Sequence, residues 1–225
     1  MCIQTPFQVD AFWRLGNGFI GIDATHNVTQ YHNFLLFTII ARDRWGRGTL
    51  LWRVVHQGAN YPYSGVPVAW MLASNGTKNT ISFFVRWVQH GSPAVLPAMI
   101  MTDKDLAQIG ALKIVYPDSR IFLCKWHVLR AIRSHLNASE FPELWNKVRA
   151  LVNTPDEEEF DRLWREISND PMSPKPFIEY MALHWMSDKE KWSLVYRQNR
   201  SIFKEGDTNM LIEALVIFLS RSLDR

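Results

Sequence analysis

Cysteine is scarce in this 225-residue sequence, and long apolar runs are missing. The two cysteines, Cys2 and Cys124, lie far apart, which excludes a disulfide framework and a four-cysteine zinc site within the chain. The apolar runs are far shorter than the roughly 20 residues that a membrane span needs, and the start does not read as a secretory leader. These absences predict a soluble intracellular domain in a reducing compartment, without a membrane partner.

Net charge is also low, at +3, and is too small to indicate a nucleic-acid partner by itself. The distribution of charge is more informative, because basic residues concentrate between positions 113 and 149 and the acidic run DEEEFD follows at 156–161. Apolar residues make up 47% of the chain and include ten Trp and thirteen Phe. This composition is typical of a globular protein with a substantial core.

The order of apolar patterns predicts a mixed α/β fold. Five strands are predicted, at 17–24, 34–43, 66–74, 97–103 and 120–124. Helices are predicted at 79–91 and 105–116, and a basic helix follows the last strand. Three sequential strands followed by alternating helices and strands favour a mixed sheet covered by helices. From 141 onward the pattern is helical, with Thr154 predicted as the N-cap of one helix.

Two aspartates follow apolar strands where α/β folds gather ligands. Asp23 is placed at the end of the first predicted strand, and Asp103 ends the strand in PAMIMTD before a helix. Ligands collect at the carboxyl ends of strands in such sheets, and oxygen ligands suit Mg²⁺ or Mn²⁺. Each aspartate alone could equally be a helix N-cap or a turn residue. Asp105 is the better N-cap for the following helix, which leaves Asp103 for another role.

Glu213 is the third candidate, as the single charged residue in MLIEALVIFL. A helix that is apolar on every face is buried, and a lone buried carboxylate needs a compensating cation. The alternative is that Glu213 lies in the first turn and points to water, stabilised by the helix dipole. Three carboxylates around one or two metals would suit phosphoryl transfer, in which metals activate the attacking oxygen and stabilise the leaving one.

The segment CKWHVLR places Cys124 and His127 three residues apart at a strand-to-helix junction. A zinc site would lack two ligands here, and neighbours at this spacing rarely reach the geometry of a Cys–His nucleophile pair. We favour a packed cysteine with a polar histidine near the acidic residues. A semi-buried histidine with a purely structural role is a close alternative.

Four segments together resemble the catalytic domain of Mutator-like element (MULE) transposases. They are IDATHNVTQYHNFLLFTIIARDRWG, VPVAWMLASN, IMTDKDLAQIGALKIVYPDSRIFLCKWHVLRAI and DTNMLIEAL. The D-x-T-H opening, the T-D-x-D followed by a helix, and the C-x-W-H motif are specific in combination, although each alone is weak. The resemblance covers most of 17–136 and returns around 205–216.

The resemblance implies an RNase H-like fold, with a mixed five-stranded sheet flanked by helices and a helical insertion before the last catalytic helix. The implied parts are a lead-in at 1–16, the core at 17–136, the insertion at 137–204 and the final helix at 205–225. It also implies a DDE-type site that binds Mg²⁺ or Mn²⁺. Asp23, Asp103 and Glu213 would be the metal ligands, and His127 would lie close by as a catalytic residue.

The implied reaction is hydrolysis at a transposon end, followed by attack of the freed 3′-hydroxyl on target DNA. Positioning and metal electrostatics would carry this chemistry. Lys125, Arg130 and Arg133 of the basic helix could contact phosphates without reading sequence, although a solvated surface is as plausible a role for them. The family also implies a nuclear location and a homo-oligomer.

Several features depart from the family pattern. The flanking DNA-binding and zinc modules are not in this sequence, and the last helix reads ALVIFLSR where the family commonly has a Trp–His pair and a lysine. The stretch TLLWRVVHQGANYPYSG at 49–65 lengthens a hairpin between matching flanks, and loops of that length are uncommon. We hypothesise a translated, unspliced intron, which sequencing of the mature transcript would test.

These observations favour a transposase-derived catalytic domain that cleaves and joins DNA, as a truncated or decaying copy. The alternative is a domesticated, non-catalytic module that binds DNA or protein with the same fold. Retention of all three carboxylates favours the enzyme. The insertion at 49–65 and the missing DNA-binding and zinc segments favour the non-catalytic binding domain. A nuclease for RNA–DNA hybrids is disfavoured by the long helical insertion.

Overall fold

A computed structural model of the protein describes residues 1–26, 34–42 and 65–197. Among these residues the chain forms two compact units, Met1–Ile121 and 122–197. The insertion at 49–65, apart from Gly65, lies outside the described residues. The predicted final helix at 205–225, with Glu213, also lies outside them. The predicted boundaries after residues 136 and 204 stay predictions.

The first unit is built on a mixed sheet. Its elements are β1 (Cys2–Ile3), α1 (Pro6–Leu15), β2 (Phe19–His26), β3 (Leu35–Arg42), β4 (Val66–Ala73), α2 (Lys78–Gly91), β5 (Met99–Thr102), α3 (Leu106–Val115) and the start of β6 (Arg120–Leu123). The strands lie in the order β1-β4-β3-β2-β5-β6. Strands β2, β3 and β4 pair antiparallel, whereas β5 runs parallel to β2 because α2 crosses over between β4 and β5.

This architecture confirms the predicted mixed α/β class and is consistent with an RNase H-like fold. The predicted strand count of five was wrong, because the short strand β1 pairs with the outer edge of β4 and makes a sixth. β1 and α1 lie in the segment that was predicted only as a lead-in. The signal for α1 was present in the sequence: Thr5 caps the helix in a capping box with Gln8, and Pro6 occupies the first turn.

Helices α2 and α3 pack against each other and supply apolar residues to the core of the first unit. Helix α2 begins after the N-cap Thr77 and buries Ile81, Phe84, Val85 and Val88, the spacing of one helical face. Helix α3 begins after Asp105, whose carboxylate accepts a hydrogen bond from the backbone N–H of Gln108 at 2.8 Å. Asp105 is therefore the N-cap, as predicted, and Asp103 lies outside the helix.

The described part of the second unit is helical after β6. Its helices are α4 (Lys125–Arg133), α5 (Pro142–Asn153), α6 (Glu157–Asn169), α7 (Lys175–His184) and α8 (Lys189–Trp192), with 3₁₀ turns at Met186–Asp188 and Leu194–Arg197. Trp185 and Trp192 are fully buried, and the Trp192 indole N–H donates to the Trp185 carbonyl at 2.8 Å. Phe160 of α6 packs on Trp192, with ring centroids 5.8 Å apart.

The predicted N-cap of α6 was wrong by two residues. Asp156, not Thr154, caps the helix, because its carboxylate accepts from the backbone N–H of Glu159 at 2.8 Å. Thr154 instead terminates α5, and its hydroxyl accepts from the backbone N–H of Asp156 at 3.2 Å. Across the described ranges, no helix combines the length and the apolar character that a membrane crossing requires.

Candidate metal centre

Asp23 lies inside a strand rather than at its end. It is the fifth residue of β2 and pairs with Thr38 of β3, and its side chain is only 4% exposed. The prediction that Asp23 terminates its strand was wrong, since pairing with β3 continues to His26 and Leu35. Pairing with β3 therefore fixes the backbone before and after Asp23.

On the other side of β2, backbone pairing stops before it reaches Asp23. Pairing of β2 with the parallel strand β5 ends at Gly21 and Met101. Asp23 and Asp103 each lie two residues beyond that last pair, so they occupy equivalent positions where the two strands stop pairing. Carboxylate oxygens of the two residues lie within 4.8 Å of each other, and Asp103 is half-buried.

Two carboxylates this close repel each other when both are ionised, and burial strengthens the repulsion by weakening the screening. A divalent cation between the two carboxylates would replace this repulsion with attraction of each carboxylate to the metal. Both donors are carboxylate oxygens, which suit Mg²⁺, Mn²⁺ or Ca²⁺ and not a soft metal. The donor set thus fits the predicted cofactor class.

Thr38 adds an independent observation beside Asp23. Its side chain is 0% exposed, and its hydroxyl has no hydrogen-bond partner within the described ranges. Directly paired residues on antiparallel strands project to the same face of the sheet, so this hydroxyl shares a face with the Asp23 carboxylate. A buried hydroxyl left in this state fits a site for a hydrated cation, because bound waters need hydrogen-bond partners. No motif in the sequence singles out Thr38.

Gln108 is the second residue that the sequence analysis missed. Its side chain is 2% exposed, and its amide N–H₂ group donates to the Ile22 carbonyl at 3.4 Å and to the Thr102 hydroxyl. These two acceptors immediately precede Asp23 and Asp103. The spacing Asp105-x-x-Gln108 matches a capping box, so the sequence signals the helix start but not the side chain's contacts with both strands.

Cys124 and His127 lie in the second unit, at the start of α4. Cys124 is fully buried at the N-cap position, which agrees with a packed cysteine. His127 is half-buried in the first turn, and its ring meets the Trp126 ring edge-on at 4.7 Å between centroids. The proximity of His127 to the carboxylates stays a prediction.

The basic residues predicted to contact DNA lie on α4 in two settings. Arg130 and Arg133 are exposed, whereas Lys125 is half-buried at the first helical position. The Arg130 guanidinium lies 4.9 Å from the centroid of the Trp126 ring, and the Arg133 guanidinium lies 6.0 Å from the centroid of the Trp145 ring. Both arginines therefore remain exposed while they contact aromatic rings of their own unit.

A family model for the MULE transposase domain matches residues 19–131, just over half of the chain. The chain belongs to the MULE transposase domain family. The matched range includes β2, β5 and both aspartates of the candidate centre. It also covers Cys124 and most of α4.

A solved structure of a simian T-cell lymphotropic virus intasome in complex with the PP2A regulatory subunit B56 gamma is similar to this MULE domain over 69% of the chain. The sequence identity is 15% and the TM-score is 0.32. The chain spans 49% of the length of that matched chain. No curated protein matches the sequence.

Proposed function

We propose that this MULE domain cleaves and joins DNA strands at transposon ends with a divalent metal held by Asp23, Asp103 and Glu213. The observation that supports this function best is the position of the two aspartates. They lie at equivalent positions just beyond the last β2–β5 pair, with carboxylate oxygens within 4.8 Å. Membership of a transposase family supplies the reaction class.

Asp23 and Asp103 differ in how they are held, which suits a site that must be both rigid and accessible. Asp23 is buried and fixed by strand pairing, whereas Asp103 is half-buried beyond the end of β5. Mg²⁺ or Mn²⁺ bound there would lower the charge repulsion between a DNA phosphate and its attacking oxygen. The protein would contribute position and electrostatics, with no covalent step.

DNA is the proposed partner, both as transposon end and as target. Arg130 and Arg133 are exposed cations on α4 that suit phosphate contacts, and such contacts would carry no sequence preference. In this proposal His127 assists at the same site, the protein works in the nucleus, and it acts as a homo-oligomer.

Metal-dependent thermal stability of the purified chain tests the proposal first. Millimolar Mg²⁺ or Mn²⁺ should raise the unfolding temperature of the wild type. The shift should be lost in Asp23→Asn and Asp103→Asn. Asp118→Asn is the matched control, because it makes the same charge change at an exposed residue in the turn between α3 and β6.

A DNA-cleavage assay with the same variants completes the test. Metal-dependent nicking that requires both Asp23 and Asp103 would support the enzyme. No stabilisation of the wild type by metal would rule out the proposed centre. Metal binding without cleavage, together with DNA binding, would instead favour the non-catalytic module.

A further inference from the structure

The Gln108 side chain lies at the point where β2 and β5 stop pairing. The last pair along these parallel strands is Gly21 with Met101, so the Ile22 carbonyl lies beyond the described ladder. Gln108 reaches from α3 and donates its amide to that carbonyl, and also to the Thr102 hydroxyl on β5. One side chain thus links both strands where the backbone ladder ends.

We infer that Gln108 is a positioning residue that sets the separation of Asp23 and Asp103, an inference that rests on the proposed metal centre. Its two acceptors belong to the residues that directly precede the two aspartates. The backbone at Ile22 and Thr102 determines where the next residue can project. A link between these residues therefore constrains both carboxylates at once.

An amide suits this role better than a charged group would. It donates two hydrogen bonds without adding charge, so it holds the strands together and leaves the negative potential of the carboxylates available to a cation. A lysine or arginine in its place would add a positive charge that competes with the metal. The buried position of Gln108 also restricts its rotamers, so the link is rigid.

The backbone of Gln108 is anchored as well. Its N–H donates to the Asp105 carboxylate at 2.8 Å, which fixes the first turn of α3. The Gln108 N–H therefore binds the helix cap Asp105, and the Gln108 side chain binds Thr102 at the end of β5. These two bonds anchor the short segment that carries Asp103. The position of Asp103 then depends on both the helix and the sheet.

Gln8 provides a matched control in the same unit. It is also a buried glutamine in the first turn of a helix, 3% exposed, and its amide also donates to a strand carbonyl, that of Pro67 at 3.1 Å. Pro67 belongs to β4, which is separated from β5 by β3 and β2. Replacing Gln8 removes the same kind of hydrogen bond away from the carboxylates.

The experiment compares Mn²⁺ binding to the full chain in Gln108→Leu, Gln8→Leu and the wild type, by calorimetric titration at a temperature where all three are folded. We expect Gln108→Leu to weaken Mn²⁺ binding at least tenfold, with Gln8→Leu within twofold of the wild type. Gln108→Glu removes the donors but adds a carboxylate, so loss of affinity there would exclude a simple charge effect. Equal affinity of the two leucine variants would overturn the inference.

A metal-free readout separates this inference from the proposed function. Amide hydrogen exchange at 20–23 and 100–103 should accelerate in Gln108→Leu and not in Gln8→Leu. If the wild type binds no Mn²⁺, the proposed centre fails, and the exchange data alone decide whether Gln108 holds the strands. Unchanged exchange at both segments would overturn the positioning role.

Discussion

Thr38 and Asp23 are direct cross-strand neighbours, and the carboxylate of one shares a face of the sheet with the buried hydroxyl of the other. Beyond Asp23 in the same row lies Asp103, from the neighbouring parallel strand. The buried Thr38 hydroxyl costs stability, because it has no hydrogen-bond partner among the described residues.

Thr38→Val should leave the free energy of unfolding unchanged or raise it by up to about 1 kcal/mol without metal, because the buried hydroxyl has no partner in the described ranges. Thr102→Val is the matched control, since the equally buried Thr102 hydroxyl accepts from Gln108. That variant should lose about 1–2 kcal/mol by leaving the amide unsatisfied. Equal losses in urea unfolding would contradict the prediction.

Tyr116→Phe should also be neutral or stabilising by up to about 1 kcal/mol at neutral pH. Tyr116 is 3% exposed, and its hydroxyl has no hydrogen-bond partner among the described residues. Burial raises the pKa of this phenol well above its ordinary value of 10.0. Above pH 10 the unfolded chain therefore loses a proton that the folded chain keeps, and wild-type stability falls as the pH rises.

Tyr116→Phe has no phenol to titrate, so its free energy of unfolding should fall less than that of the wild type above pH 10. Urea unfolding of both proteins at several pH values measures this difference. Tyr180→Phe is the comparison, because the Tyr180 hydroxyl donates to the Ala131 carbonyl at 3.5 Å. A neutral-pH loss in Tyr116→Phe as large as in Tyr180→Phe would show that the Tyr116 hydroxyl has a partner.

Arg162→Ala should raise the pKa of Glu159 toward its ordinary value. The Arg162 guanidinium donates to both Glu159 oxygens, at 2.7 and 2.6 Å, and this hydrogen bonding lowers the pKa of that carboxyl. The pair's contribution to stability is present above the ordinary carboxyl pKa and disappears as the pH falls through the lowered one. Carbon-detected NMR titration of Glu159 measures the shift. If Glu159 has the same pKa in the wild type and in Arg162→Ala, Arg162 is not the cause of the lowered pKa.

Arg130→Ala combined with Arg133→Ala should weaken DNA binding and make it less sensitive to salt. Each phosphate contact contributes about 0.9 to the slope of log K against log salt concentration, so the slope should fall by about 1.8. Fluorescence anisotropy across a salt series measures this. Arg149→Ala combined with Arg165→Ala, which removes two exposed arginines from α5 and α6, is the charge-matched control. An unchanged slope in the double variant would remove α4 from the interface.

The sequence was most informative where local pattern decides structure. The apolar run at 66–74 and the helical face from Ile81 to Val88 correspond to β4 and α2 almost residue for residue. The N-cap of α6 was misassigned because Thr154 and Asp156 are both good caps, and packing of α5 against α6 selects one. Local signals cannot separate such neighbours.

The candidate centre depended on long-range pairing, which local pattern does not contain. Asp103 could be assigned to a strand end because Asp105 is the better cap, and Asp23 to the same sheet by its apolar neighbours. Asp23 pairs with β3 but lies beyond the last pair with β5, because β3 has eight residues and β5 has four. The contacts of Gln108 required knowing which strands α3 covers.

Residues at the start of the chain, in β1 and the beginning of α1, cover the outer edge of β4. β1 pairs with Met71 and Trp70, and then the side-chain amides of Gln4 and Gln8 donate to the Val68 and Pro67 carbonyls at 2.9 and 3.1 Å. Exposed strand edges recruit strands from other molecules and start aggregation. Removing the first eight residues would therefore expose the edge of β4 as a template for intermolecular pairing, so shortened variants of this domain should retain them.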